Sequence, residues 1–163
     1  MLEWIIKDIL WLFRHFTEIF TSKRNIRFGK LHEMRAEVIP ELSSKLNDAV
    51  FATKDYLSLF SFGGNTKKEL LSTAKQKMKE FLDYYEKHKI KFNEGLCDKM
   101  DNLLKELSTL ILKGEYALGK VEYGANKDEI LSDLHKLFIE FQNHNIPELK
   151  VAIEDDLRKL LGV

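Results

Sequence analysis

From Leu31 to Phe60, side chains suited to a buried face return every three or four positions: Leu31, Met34 or Arg35, Val38, Leu42, Leu46, Ala49, Thr53, Tyr56 or Leu57, Phe60. That spacing closes one face of an α-helix; a strand would need alternation at every second residue. Sustained over about eight turns, it makes one long helix the element around which the rest must be built. Pro40 falls inside it. Proline lacks a backbone donor and its ring crowds the preceding turn, so a kink is expected there.

Downstream the same period recurs between clear boundaries. Gly63-Gly64-Asn65 reads as a loop. Thr66 with Glu69 three residues on forms a capping-box pattern, and the next helix runs to about His88 through Leu70, Ala74, Met78, Phe81, Leu82 and Tyr85. Ile90 to Phe92 is a short connector. Asn93 is a good N-cap for a helix with Leu96, Met100, Leu103, Leu104, Leu107, Leu110 and Ile111 on one stripe. Glycines 114, 119 and 124 weaken the helical signal after it. Asn126 or Asp128 starts a further helix through Ile130, Leu131, Leu134, Leu137, Phe138 and Phe141, ending at Asn143-His144-Asn145. Pro147 suits the first position of a last helix, with Leu149, Ile153, Leu157, Leu160 and Leu161 on one face. No segment reads as a strand. The expected fold is all-α: an antiparallel helical bundle with a long kinked helix and an N-terminal amphipathic helix, divided as residues 1–22 and 23–163.

The first 20 residues form a distinct unit. Leu2, Ile9 and Phe16 are spaced by seven, as are Ile5, Leu12 and Ile19, and again Ile6, Phe13 and Phe20. On a helix these make one broad apolar face, with Lys7 and Arg14 opposite. Trp4 and Trp11, also seven apart, project from the flank, as if for a second contact surface. The segment does not read as a secretory signal, because Glu3 and Asp8 stand where basic residues belong and no small-residue cleavage site follows. Nor does it read as a membrane span: Ile9 to Phe13 is its longest uncharged run, against roughly 20 apolar residues for a bilayer core. Thr21 to Gly29 is either a hinge or a continuation of the helix. This stretch leads into a basic patch with no acid inside it: Lys23, Arg24, Arg27 and Lys30. Such a patch suits anionic lipid headgroups, nucleic-acid phosphates, or simple solvation.

Composition narrows the function classes. Lysine plus arginine equals aspartate plus glutamate, 26 each. A dedicated nucleic-acid binder would show a basic excess, and zero net charge removes one barrier to self-association. Basic residues prevail in 63–91 and acidic ones in 92–163. Cys97 is the single cysteine, which excludes an internal disulfide or a thiolate cluster and fits a reducing, cytoplasmic compartment. Contact with the inner face of a membrane would be peripheral.

No catalytic constellation emerges. None of the five histidines has a ligand three residues before it, as a di-iron bundle requires. Glu140 and His144 make an isolated i, i+4 pair, which is ordinary helix surface. Cys97 sits in the first turn of a helix, where a thiol pKa can fall, yet no histidine is near in sequence. The serines occupy no nucleophile elbow. Gly63 to Lys68 lacks P-loop spacing. His32, Arg35 and Glu37 read as a structural polar network. No metal or cofactor is expected.

Three segments carry a resemblance: Lys30-Leu31-His32-Glu33-Met34-Arg35-Ala36-Glu37-Val38-Ile39; Glu80 to Ile90 followed by Leu96-Cys97-Asp98-Lys99-Met100; and Ile146-Pro147-Glu148-Leu149 to the C-terminal Leu160-Leu161-Gly162-Val163. Over about residues 26–163 the chain resembles a widespread group of uncharacterised bacterial helical proteins with a "KLHEKRAEVI" signature. In that group the signature follows a membrane-spanning segment or a long charged coiled coil. Here the amphipathic helix stands in that place, and Pro40 interrupts a stretch the group keeps free of proline. The resemblance carries no activity and no catalytic residue.

The functional expectation is a non-enzymatic helical interaction module. Its N-terminal helix would mediate self-association into a homo-oligomer, docking of a protein partner, or peripheral contact with an anionic membrane surface. Trp4, Ile5, Ile9, Trp11, Leu12, Phe13, Phe16 and Phe20 would form the contact, and nucleic acid is not the expected partner. The second reading is a membrane-perturbing effector of a bacterial defence system, with the same helix held against the bundle until a signal frees it.

Overall fold

A computed structural model describes the backbone of residues 2–59, 66–120, 126–143 and 146–162, and the side chains of those from Gly29 onward. The described residues are helical, without a strand. In chain order they form α1 (Leu2–Leu57), α2 (Lys67–His88), a 3₁₀ turn (Lys89–Lys91), α3 (Glu94–Gly119), α4 (Lys127–Asn143) and α5 (Ile146–Leu161). The stretch from Thr21 to Gly29 continues the helix.

Local chemistry sets the boundaries. Thr66 and Glu69 form a reciprocal capping box: the Thr66 backbone N–H donates to the Glu69 carboxylate at 2.7 Å, and the Glu69 N–H donates to the Thr66 hydroxyl at 3.3 Å. Asn93 accepts from the Leu96 N–H at 2.9 Å, and Asn126 from the Glu129 N–H at 2.8 Å. Each cap satisfies a donor that the first helical turn leaves unpaired. Thr66 holds the Glu69 carboxyl below the usual carboxylate range through backbone and side-chain hydrogen bonds. At the far end of α1, the Lys67 ammonium donates to the carbonyls of Tyr56 (2.9 Å) and Ser58. A cation is favoured there by the negative end of the helix dipole. Partial burial lowers the Lys67 pKa, with nearby Asp55 opposing the shift.

One hydrophobic core joins all five helices. α1 and α3 each pack against the other four. From α1 it takes Val38, Ile39, Leu42, Leu46, Ala49, Ala52, Tyr56 and Leu57, with Thr53 buried beside them. The Thr53 hydroxyl donates to the Ala49 carbonyl at 2.8 Å, so this polar group enters the core satisfied. α2 adds Phe81 and Tyr85; α3 adds Leu96, Met100, Leu103 and Leu107; α4 and α5 close the core with Leu134, Phe141, Ile146, Ile153 and Leu157. Pro40 lies inside α1 at an exposed position. There, solvent can reach the Ala36 carbonyl whose helical partner proline removes.

Two expectations shift. Leu82, read with the α2 stripe, is exposed, because Phe81 beside it takes the inward position. Gly114 does not weaken α3. It is buried within the helix, and a Cβ placed there would lie 2.6 Å from the Tyr56 hydroxyl oxygen. The missing side chain lets Tyr56 of α1 sit against the backbone of α3. The Tyr56 hydroxyl has no hydrogen-bond partner among the described residues. Burial, reinforced by Glu115, raises its pKa far above the usual tyrosine value.

Candidate interaction surface

The geometry of α1 divides that helix in two. It has 56 residues, and α3, the next longest, has 26. At 1.5 Å per residue these are about 84 and 39 Å long. The core takes only Val38 to Leu57, about 30 Å of α1. Ahead of Val38, residues Gly29, Lys30, His32, Glu33, Met34, Ala36 and Glu37 are exposed; Leu31 and Arg35 are half-buried. Helical backbone continues from there to Leu2. An unbroken helix that has left its core cannot turn back onto it, because reversal needs several residues outside helical geometry.

Among the described residues, Arg35 ties this segment to the bundle. Its Nε donates to the Lys91 carbonyl at 2.9 Å, joining α1 to the 3₁₀ turn 56 residues later. Next to it, the Lys91 ammonium lies 3.0 Å from His88 Nδ1, and the His88 ring stacks at a tilt on Tyr84 with centroids 4.5 Å apart. Desolvation, with Lys91 and Lys87 nearby, lowers the His88 pKa. His32 and Glu37, grouped with Arg35 in the sequence reading, are exposed and do not join this contact.

The side chains of Trp4, Ile5, Ile9, Trp11, Leu12, Phe13, Phe16, Phe20, Lys23, Arg24 and Arg27 lie outside the described residues. Lys30, the last member of the basic patch, is exposed. Cys97 is half-buried, its thiol 3.8 Å from the Lys89 carbonyl, and its own carbonyl accepts from the Tyr85 hydroxyl at 3.3 Å. Lys89 sits over the Tyr85 ring, 5.1 Å from its centroid, and pairs with Asp101 at 2.9 Å. These contacts fasten α2 to α3. Glu140 pairs with Lys113, and His144 lies outside the described residues.

Among the described residues no cluster of three or more His, Cys, Asp or Glu side chains could hold a metal ion. No helix in that set is long and apolar enough to cross a membrane. Among the described residues, shallow recesses lie along the α1–α2 and α3–α4 seams. One, of about 160 Å³, lies between α1 and α2 at Phe51 and Lys77; another, of about 210 Å³, lies between α3 and α4 at Tyr116 and Lys120. Ion pairs cross both seams: Lys77 with Asp48 at 3.4 Å, and Lys120 with Asp133 at 2.7 Å. The sequence reading missed the exposed apolar residues Ile90 (94% exposed), Tyr116 and Phe51. Ile90, flanked by Lys89 and Lys91 in a short connector, carried a signal for exposure in that setting. These three belong to different elements, and scattered single apolar residues are normal on a soluble surface. No family model, no curated protein and no solved structure matches the chain.

Proposed function

We propose that the protein is a non-enzymatic helical interaction module. Residues 23–163 form an antiparallel bundle, and residues 1–22 form an amphipathic arm that engages another molecule. The observation that carries this reading is the continuity of α1 past its last core residue. An apolar face at residues 2–20, on a helix that has already left its own bundle, needs cover from outside, since large exposed apolar patches mark interaction sites. Self-association, a protein partner and an anionic membrane surface all supply such cover. The same continuity supports a passive module over an effector that stores the arm against its own core, because α1 has no break at which to fold the arm back.

The test is equilibrium unfolding in urea of the whole chain beside a chain that starts at Lys23. With the arm outside the core, the two share one unfolding midpoint at protein concentrations low enough to keep both monomeric. A clearly lower midpoint for the shortened chain would make the arm part of the core and remove the proposal.

A further inference from the structure

The repeat within the arm identifies the molecule that covers it. In a seven-residue register, Leu2, Ile9 and Phe16 take position a, Ile5, Leu12 and Ile19 take d, and Ile6, Phe13 and Phe20 take e. Apolar residues at a and d over successive heptads are the pattern by which helices pack against helices. The next heptad keeps only Ile26 at d, with Lys23 at a and Arg27 at e, and the one after it has Lys30 at a and Glu33 at d. The arm's stripe is therefore cut off from the core stripe, which begins to bury at Val38. Continuous helix between the two removes the chain's own bundle as the occupant.

We infer that the arm is covered by the arms of further copies of this chain, in an assembly of three or more. This inference rests on the interaction-module reading and names its partner. Two features favour more than two strands. The outer heptads place Ile5 and Ile19 at d, a choice that shifts coiled coils from dimers to trimers and tetramers, while the middle heptad, Ile9 at a with Leu12 at d, is the dimer pattern. Apolar residues at e, where a dimer places charges, widen each helix face so that it meets two neighbours at once. The balanced charge, 26 basic against 26 acidic residues, sets no long-range repulsion against gathering copies. A bilayer surface asks for one apolar face and no heptad register. Trp4 and Trp11 take position c, off the a–d–e face, so the assembly does not need them.

Light scattering after size exclusion, on the full chain across a range of micromolar concentrations, tests this. The expected result is a mass of at least three chains for the wild type. Ile9→Asp/Leu12→Asp should run as a monomer with the urea midpoint of the bundle retained. Trp4→Ala/Trp11→Ala should keep the wild-type mass. A monomeric or dimeric wild type overturns the inference, and so does an assembly that survives Ile9→Asp/Leu12→Asp. Flotation with phosphatidylglycerol-containing vesicles separates the levels of failure. A monomer that floats, and loses flotation in Trp4→Ala/Trp11→Ala, overturns self-assembly and leaves the module reading standing with lipid as the partner. A monomer that does not float, and whose bundle is destabilised by Ile9→Asp/Leu12→Asp, overturns both.

Discussion

Two stretches of α1 are made of the same kind of helix and meet their surroundings differently. Val38 to Leu57 is held by its own chain, with Leu42, Leu46, Ala49, Tyr56 and Leu57 fully buried against the other helices. Between Gly29 and Glu37 the helix presents mostly exposed side chains, and Arg35 donates a hydrogen bond to Lys91. Farther toward Leu2 the sequence turns strongly apolar again. Helical periodicity alone therefore does not say what a helix packs on. The distance from the core does, and at about 1.5 Å per residue a helix of this length exceeds what its neighbours can cover.

Mutations can break this contrast. The largest expected effect is at Leu46. Leu46→Ala empties a site with no exposure and should cost about 2–5 kcal/mol, read as a drop in the urea midpoint. In the arm, Ile9→Ala should leave the midpoint of the monomer unchanged. Equal losses at both positions would abolish the distinction between the two stretches.

Next in size is Gly114→Ala. Alanine is favoured over glycine in a helix by about 1 kcal/mol, yet here its Cβ meets Tyr56 at 2.6 Å. Overpacking should win and destabilise by about 1–3 kcal/mol. Tyr56→Phe in the same chain should recover part of the loss, since it removes the nearest atom. Tyr56→Phe alone should be neutral or stabilising, because the hydroxyl is buried without a partner among the described residues. Thermal unfolding of the three variants checks the cycle, and additive losses would show that the two positions do not couple.

Smaller effects follow at the points where α1 and the other helices are tied. Arg35→Met keeps an apolar stem and removes the donor to Lys91, for an expected loss of about 1 kcal/mol. Protection of the 3₁₀ turn in hydrogen exchange should fall with it. At Asp156, hydrogen bonds from Lys99, and then from Lys159, hold the carboxyl below its usual value against partial desolvation. A depressed folded pKa gives stability that is present above the unfolded value, near pH 4, and is lost as the pH falls through the folded one. Asp156→Asn should flatten that part of the acid limb, read by urea midpoints between pH 5 and 2. An unchanged limb would remove the linkage.

Much of the bundle was legible in the sequence because its signals are local. Thr66 with Glu69, Asn93 and Asn126 mark helix starts by chemistry that spans three residues, and the stripes from Leu96 to Ile111 and from Ile130 to Phe141 carry the buried or half-buried positions. What escaped depends on partners distant in the chain. Gly114 read as a weak point because its reason, Tyr56, stands 58 positions earlier. Arg35 found a backbone carbonyl 56 residues away rather than His32 or Glu37. Lys67 capping the end of α1 had no local pattern at all. For the arm, the heptad at residues 2–20 was visible, while the question of its partner turns on how far α1 runs beyond its core.

Amide hydrogen exchange along α1, measured on the full chain at two protein concentrations, tests whether the arm lies outside the fold of a single chain. In that arrangement residues 38–57 exchange only with global unfolding at either concentration. Residues 2–20 should exchange quickly when dilute and become protected as concentration rises. Strong protection of residues 2–20 that matches 38–57 and ignores concentration would contradict it, and would place the arm within the fold of a single chain.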